Sequence, residues 1–449
     1  MSDASPSTAE RLHDLIAAAK RAGADAAEAV SAERRAASIG VRNGELEDVE
    51  REESRDIGLR VFVGRRQATV SASDLSQATL DRLVERAVAM ARLAPEDPYA
   101  RLAEPEELAA GPYPDLELYD PSERSAAELE AAAVEAEAAA MAVSGVARSE
   151  GGHSSHSTTD WRLVTSSGFD GTYRGSGFSL GVGVIAEKDG AMERGGESRS
   201  TRWLADLPDA ASIGLTAGER AVSRVGARKI ASTTAPVIFE NRVATQVLSP
   251  LLGAISGPSV ARGVSFLKDR LGQRILPAGV DLIDDPFRVR GLGSAPFDDE
   301  GVAVQRRALI EDGVLTTWLL NLSSAMQLGL KSTGHASRGL AGPSGVSTHN
   351  LHLSPGIADA HELRRQAGSG LLVTSMFGPS LNANNGDWSA GVSGFWFEDG
   401  EIAWPVTEVT VAGNLLDLAA RLVAGSDLEF RGGFNSPSLL FDAVAIAGK

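Results

Sequence analysis

A chain of 449 residues with 43% hydrophobic and 23% charged side chains has apolar material for two or three packed domains, which excludes global disorder. Its 60 acidic against 43 basic residues leave a formal net charge of -17, the wrong sign for a nucleic-acid binder. The absence of cysteine excludes disulfides, thiolate catalysis and thiolate-held metals.

Residues 1–14 lack a basic leader followed by an apolar run, and later apolar stretches stop well short of membrane-spanning length. A cytoplasmic protein with no membrane contact is expected. Ser7 and Glu10 have capping-box spacing, and Leu12, Leu15, Ile16 and Ala19 then recur with helical period towards Gly23. Ile57, Leu59, Val61 and Val63 alternate, and residues 64–66 turn the chain into 68–71, a hairpin with one buried face. A second helix carries Leu80, Leu83, Val84, Ala87 and Ala91 on one side.

Residues 100–122 contain several prolines and read as a surface connector. Ser122 is the expected cap of an Ala/Glu-rich helix whose acidic face is solvated. Residues 145–192 turn to strands and glycine-containing turns. A further helix is expected over 213–230, weakened by Gly214, Gly218 and Gly226. Residues 236–239 read as a strand and 241–257 as a helix with Val243, Val247, Leu251 and Leu252 as apolar positions, kinked at Pro250. Beyond lie a strand ending at the stiff turn 282–286, hairpins over 308–320 and 394–402, a helix over 415–423 and a closing strand over 439–447. The expected fold is α+β: an N-terminal helix-and-strand domain (1–100), a connector with middle helices and strands (101–230), and a β-rich C-terminal domain (231–449).

Most candidate sites have a plain reading. His361-Glu362 opens like a helical zinc-peptidase motif, but Arg365 stands where the second histidine belongs. His153 and His156, beside Gly151-Gly152, read as a polar loop. His349 and His352 have an odd spacing on a strand pattern and should face opposite ways. His335 reads as a hydrogen-bonded turn histidine. Gly177 to Gly181 matches a nucleophile elbow, but an alternating strand continues where a helix is required. Asp298-Asp299-Glu300 reads as a solvated turn. The richest stretch is 382–389, where Asn382, Asn385, Asp387, Trp388 and Ser389 combine amides, a carboxylate, an indole and a hydroxyl. It is the expected peptide-binding surface, since such groups can meet an extended backbone.

Several runs in order resemble one family. They are 263–268 (GVSFLK) with Leu271-Gly272, 296–301 (PFDDEG), 310–315 (IEDGVL), 328–335 (LGLKSTGH), 394–398 (GFWFE), Pro405-Val406, 412–415 (AGNL) and 436–438 (SPS). Together they resemble the TldE, or PmbA, branch of the TldD/TldE modulator-of-gyrase metallopeptidases, most closely from Pro236 onward. That resemblance implies a two-subunit zinc peptidase acting on unfolded peptides. The TldD branch carries an H-E-x-x-x-H motif and a further thiolate ligand. This chain has no histidine in the helix expected over 241–257 and no cysteine. The resemblance therefore implies no catalytic residue and no metal here, with zinc in a TldD-like partner. The alternatives are a stand-alone peptide-binding or scaffolding protein, or an independent hydrolase using His335 or a carboxylate pair.

Overall fold

The computed structural model describes residues 7–448; the start of the stretch read above for a leader lies outside them. Helix α1 (Thr8–Arg21) opens on the expected box, with Ser7 and Glu10 capping each other's backbone, and buries Leu12, Leu15, Ile16 and Ala19. Strands β1 (Ala26–Arg42), β2 (Glu45–Val63) and β3 (Arg66–Ala72) follow, then α2 (Gln77–Leu93). Helix α3 (Ala126–Met141) is capped by Ser125 rather than Ser122, because Ser125 has Glu128 at the third helical position to complete a reciprocal box. Strands β4 (Val146–Thr165), β5 (Asp170–Lys188) and β6 (Ala191–Thr201) lead to α4 (Ala210–Ser223).

These six strands form one antiparallel sheet in the order β3-β2-β1-β4-β5-β6. Strand β1 and the outer half of β2 escape a hydrophobic-alternation reading because they are charged on both faces; Glu45 to Glu53 are all exposed. Cross-strand ion pairs such as Arg55–Glu33, at 2.9 Å, cover them instead. Gly214 and Gly218 do not break α4. They are where it meets α3: a Cβ on Gly214 would lie 2.1 Å from the Ala136 carbonyl oxygen.

The second half begins with β7 (Thr233–Phe239), α5 (Asn241–Ala254) and α6 (Gly257–Ala261). Then come β8 (Leu282–Asp285), β9 (Arg307–Glu311), β10 (Val314–Leu315), α7 (Leu322–Gln327), β11 (Ala336–Ser337), β12 (Gly345–Val346) and β13 (Asn350–Leu353). Helix α8 (Ala360–Ala367), β14 (Gly370–Leu381), β15 (Asp387–Glu398), β16 (Glu401–Asn414), α9 (Leu415–Ala419), β17 (Val423–Ala424), β18 (Phe434–Asn435) and β19 (Leu439–Ala447) complete it. Three sheets result: the two-stranded β11-β12 and two larger ones, β10-β9-β8-β13-β18 and β16-β15-β14-β7-β19-β17, with α5 contributing Val243, Val247 and Leu251 to the apolar core the larger two share. The turns Asp312-Gly313 and Asp399-Gly400 have positive φ at both residues, the backbone a two-residue hairpin requires.

The halves are joined through buried groups. Phe297 packs edge-on to Phe169 of the first half, with ring centroids 4.9 Å apart. Glu28 on β1 pairs with Arg60 on β2 at 3.2 Å and with Arg338 from the second half.

Candidate functional site

The most concentrated buried chemistry lies on the five-stranded sheet. Strand β8 alternates, so Leu282 and Asp284 face inward together. Asp284 is fully buried, yet its carboxylate has three donors: His335 Nε2 at 3.1 Å, His349 Nδ1 at 2.7 Å and the His349 amide at 2.7 Å. Burial alone would push its pKa up; the hydrogen bonds from the two imidazoles outweigh burial and hold it below the usual carboxylate range. His335 is buried too, which pushes its pKa down, and its Nδ1 lies 2.8 Å from Thr333 Oγ1.

Topology brings these groups together. β13 pairs antiparallel with β8, which sets His349, just before β13, beside Asp284. His335 arrives from a loop where Gly334 has φ +72° and a Cβ would lie 2.7 Å from the Ala303 carbonyl oxygen, so only glycine fits. His335 is hydrogen-bonded, as expected, and its Asp284 partner places it in a three-residue cluster with His349. His349 and His352 do face apart as expected: the His352 ring packs on Phe430 with centroids 5.2 Å apart.

Asp298 and Glu300 are buried, contrary to the expected solvated turn. Backbone amides replace water. Asp298 accepts from Glu300, Val302 and Ala336 N–H, Asp299 from Arg338 N–H and Glu300 from Leu322 N–H, all between 2.8 and 3.1 Å. Burial and the neighbouring Glu300 raise the Asp298 pKa, and burial pushes Asp299 up to about 6. These carboxylates fasten loops to one another.

The 382–389 stretch is the tip of the β14–β15 hairpin. Its polar groups largely satisfy one another: Asn385 Nδ2 donates to Asp387 Oδ2 at 2.7 Å, and Asn414 Nδ2 to Asp387 Oδ1 at 3.0 Å. Asn382, Asn385 and Asp387 are exposed and Ser389 is half-buried, and Asn382, Asp387 and Ser389 line a shallow groove. Trp388 is set apart from them. It borders that groove but is only 3% exposed, and its ring packs edge-on to Phe239 in the core.

Other motifs resolve into structure. Residues 177–181 lie within strand β5, as expected. His153 and His156 lie on strand β4 rather than in a loop, and the His156 ring stacks on Phe178 at 4.6 Å. Glycines at 151 and 152 do not break this strand; Gly152 lets it approach the Ala133 carbonyl oxygen, which a Cβ would meet at 2.6 Å. His361 opens α8 behind its cap Asp359.

Peptidase zinc requires several converging nitrogen, sulfur or oxygen donors and an open position. Helix α5 buries Val243, Ala244, Val247, Leu248 and Leu251 and has neither histidine nor carboxylate, so its residues do not fit that ion. No helix among the described residues is long and apolar enough to cross a membrane.

Comparison with known proteins agrees with this architecture along the chain. Residues 27–91 match PmbA/TldA metallopeptidase domain 1, 119–225 the central domain and 232–448 the C-terminal domain of the same family. The chain is 38% identical to Metalloprotease PmbA of Escherichia coli O157:H7, over 95% of this chain and 93% of that protein. A crystal structure of a candidate modulator of DNA gyrase from Bacteroides thetaiotaomicron superposes with a TM-score of 0.91 at 25% identity, covering 98% of each chain. TldE from Thermococcus kodakarensis shares the fold, with a TM-score of 0.86 at 22% identity over 98% of this chain and all of that one. The chain belongs to the TldD/TldE (PmbA) modulator-of-gyrase metallopeptidase family.

Proposed function

We propose that this chain is the subunit of a heteromeric peptidase that does not hold the peptidase zinc. In this reading it stabilises a zinc-bearing, TldD-like homologue and lends it peptide-binding surface. One observation carries it: the chain keeps the family's three domains, yet α5 is apolar where the resemblance places the metal-binding helix. Water activation and carbonyl polarisation are left to zinc in the partner. The substrate class in this reading is unfolded peptide, and the cytoplasm its compartment.

The hairpin tip supplies what such a surface needs. Asn382, Asn385, Asp387 and Ser389 present amide, carboxylate and hydroxyl groups at the end of a hairpin, able to pair with an extended backbone. Trp388 anchors that hairpin from the core side. The test is co-expression with a zinc-bearing homologue, followed by mass in solution and cleavage of an unstructured peptide. The expected result is a mixed complex that loses cleavage when either subunit is omitted. Absence of a mixed complex, or cleavage by this chain alone, contradicts the reading.

A further inference from the structure

We infer that Asp284, His335 and His349 form a site for one divalent transition-metal ion, zinc by preference, separate from the peptidase metal. The expectation that this chain carries no metal follows from α5 and from the missing cysteine; it does not reach a cluster assembled from three other segments.

The geometry is close to that of a metal site before any ion enters. The three ligand atoms all lie within 4.8 Å of one another. Ligand distances of about 2.0–2.1 Å around a tetrahedral ion place its donors about 3.3 Å apart. Asp284 Oδ2 is 3.1 Å from one imidazole nitrogen and 2.7 Å from the other, so modest widening admits the ion. Two imidazoles and a carboxylate suit zinc or ferrous iron and are poor ligands for calcium or magnesium, which take oxygen donors.

Binding an ion requires the ring protons to move. In the metal-free form each imidazole meets Asp284 through one ring nitrogen, which donates its N–H to the carboxylate. An ion needs those two nitrogens as lone pairs, so each ring must carry its proton on the other nitrogen. For His335 that is Nδ1, which then donates to Thr333 Oγ1. The Thr333 hydroxyl can yield its own hydrogen elsewhere, since the Trp318 and Leu320 carbonyl oxygens each lie 3.3 Å away. Thr333 thus supports both tautomers, as outer groups of metal sites do.

Access is one-sided. The His349 side chain is 11% exposed, against 1% for His335 and none for Asp284. An ion enters past His349, the least buried of the three ligands. Its role is to pin β8, the 333–335 loop and the start of β13, stiffening the sheet from which the loops at 298–300 are hung.

The experiment uses the untagged full chain, stripped with a chelator and titrated calorimetrically with zinc, then with cobalt as a spectroscopic reporter. Wild type should take up one equivalent and give the visible absorption of tetrahedral cobalt. His349→Gln, at the accessible edge, should abolish saturable binding while circular dichroism stays unchanged. Thr333→Val should weaken binding about tenfold. Absence of saturable zinc binding by wild type, or binding that survives His349→Gln unchanged, overturns the inference. Neither outcome bears on whether the chain cooperates with a zinc-bearing partner.

Discussion

Two polar clusters of the C-terminal half make opposite use of similar groups. The hairpin tip gathers its polar residues within eight consecutive positions, leaves most exposed, and satisfies them with neighbours two residues away or on the adjacent strand. The Asp284 cluster draws on segments up to 65 residues apart and is buried except at the edge of His349. A dense run of Asn, Asp and Ser in sequence is first of all the chemistry of a turn, because short polar side chains bond to nearby backbone. A convergent buried site is made by strand pairing, and nothing in a local window announces it.

The largest effect that would break this comparison concerns Trp388. Because its ring is core, Trp388→Ala should cost about 3–5 kcal/mol of stability in urea denaturation. A Trp388→Ala protein of native stability with impaired peptide binding would return the indole to the surface. Asp284→Ala comes next. It strips the acceptor from two imidazoles and an amide, and with each buried orphan costing about 1–3 kcal/mol, a loss of roughly 3 kcal/mol is expected by the same method.

Asp299 sharpens the comparison through pH. Its folded pKa is raised from 3.8 to about 6, so the folded state holds the proton more tightly than the unfolded one. That contribution is present in full below the unfolded value and is lost as pH rises through the folded one. Asp299→Asn keeps an acceptor for the Arg338 amide but cannot ionise. It should therefore be more stable than wild type by about 3 kcal/mol above pH ~7, with the gap closing towards pH ~4. A gap independent of pH would contradict the buried-carboxylate account. The smallest effect belongs to the exposed cluster: Asp387→Ala should change stability by less than about 1 kcal/mol. It should raise the KM of the reconstituted complex about fivefold, the worth of one hydrogen bond. Unchanged turnover kinetics would remove the tip from the binding surface.

Legibility in the sequence followed locality. The Ser7–Glu10 box, the α2 stripe, the two-residue hairpin turns and β19 were all readable, because each is specified by residues a few positions apart. Strand β1 and the outer half of β2 were not, since charged residues occupy both faces and no alternation survives. The glycines of α4 read as breakers but serve close packing against α3, a partner more than 70 positions away. The α+β class and the hairpin tip were visible for the same local reason. Asp284 was legible only as a strand end, and His335 and His349 only as separate histidines. Asp298-Asp299-Glu300 looked solvated because composition cannot tell a water shell from a shell of backbone amides.

In the proposed function, the family fold here supports a zinc-bearing partner rather than forming a peptidase site of its own. The most direct measurement fixes the amount of a zinc-bearing TldD-like homologue, adds this chain in steps, and follows cleavage of an unstructured peptide. The account predicts a rate that climbs from near background and levels off at a defined ratio of the two chains, with this chain alone inactive. A homologue already working at the plateau rate before any of this chain is added would contradict it.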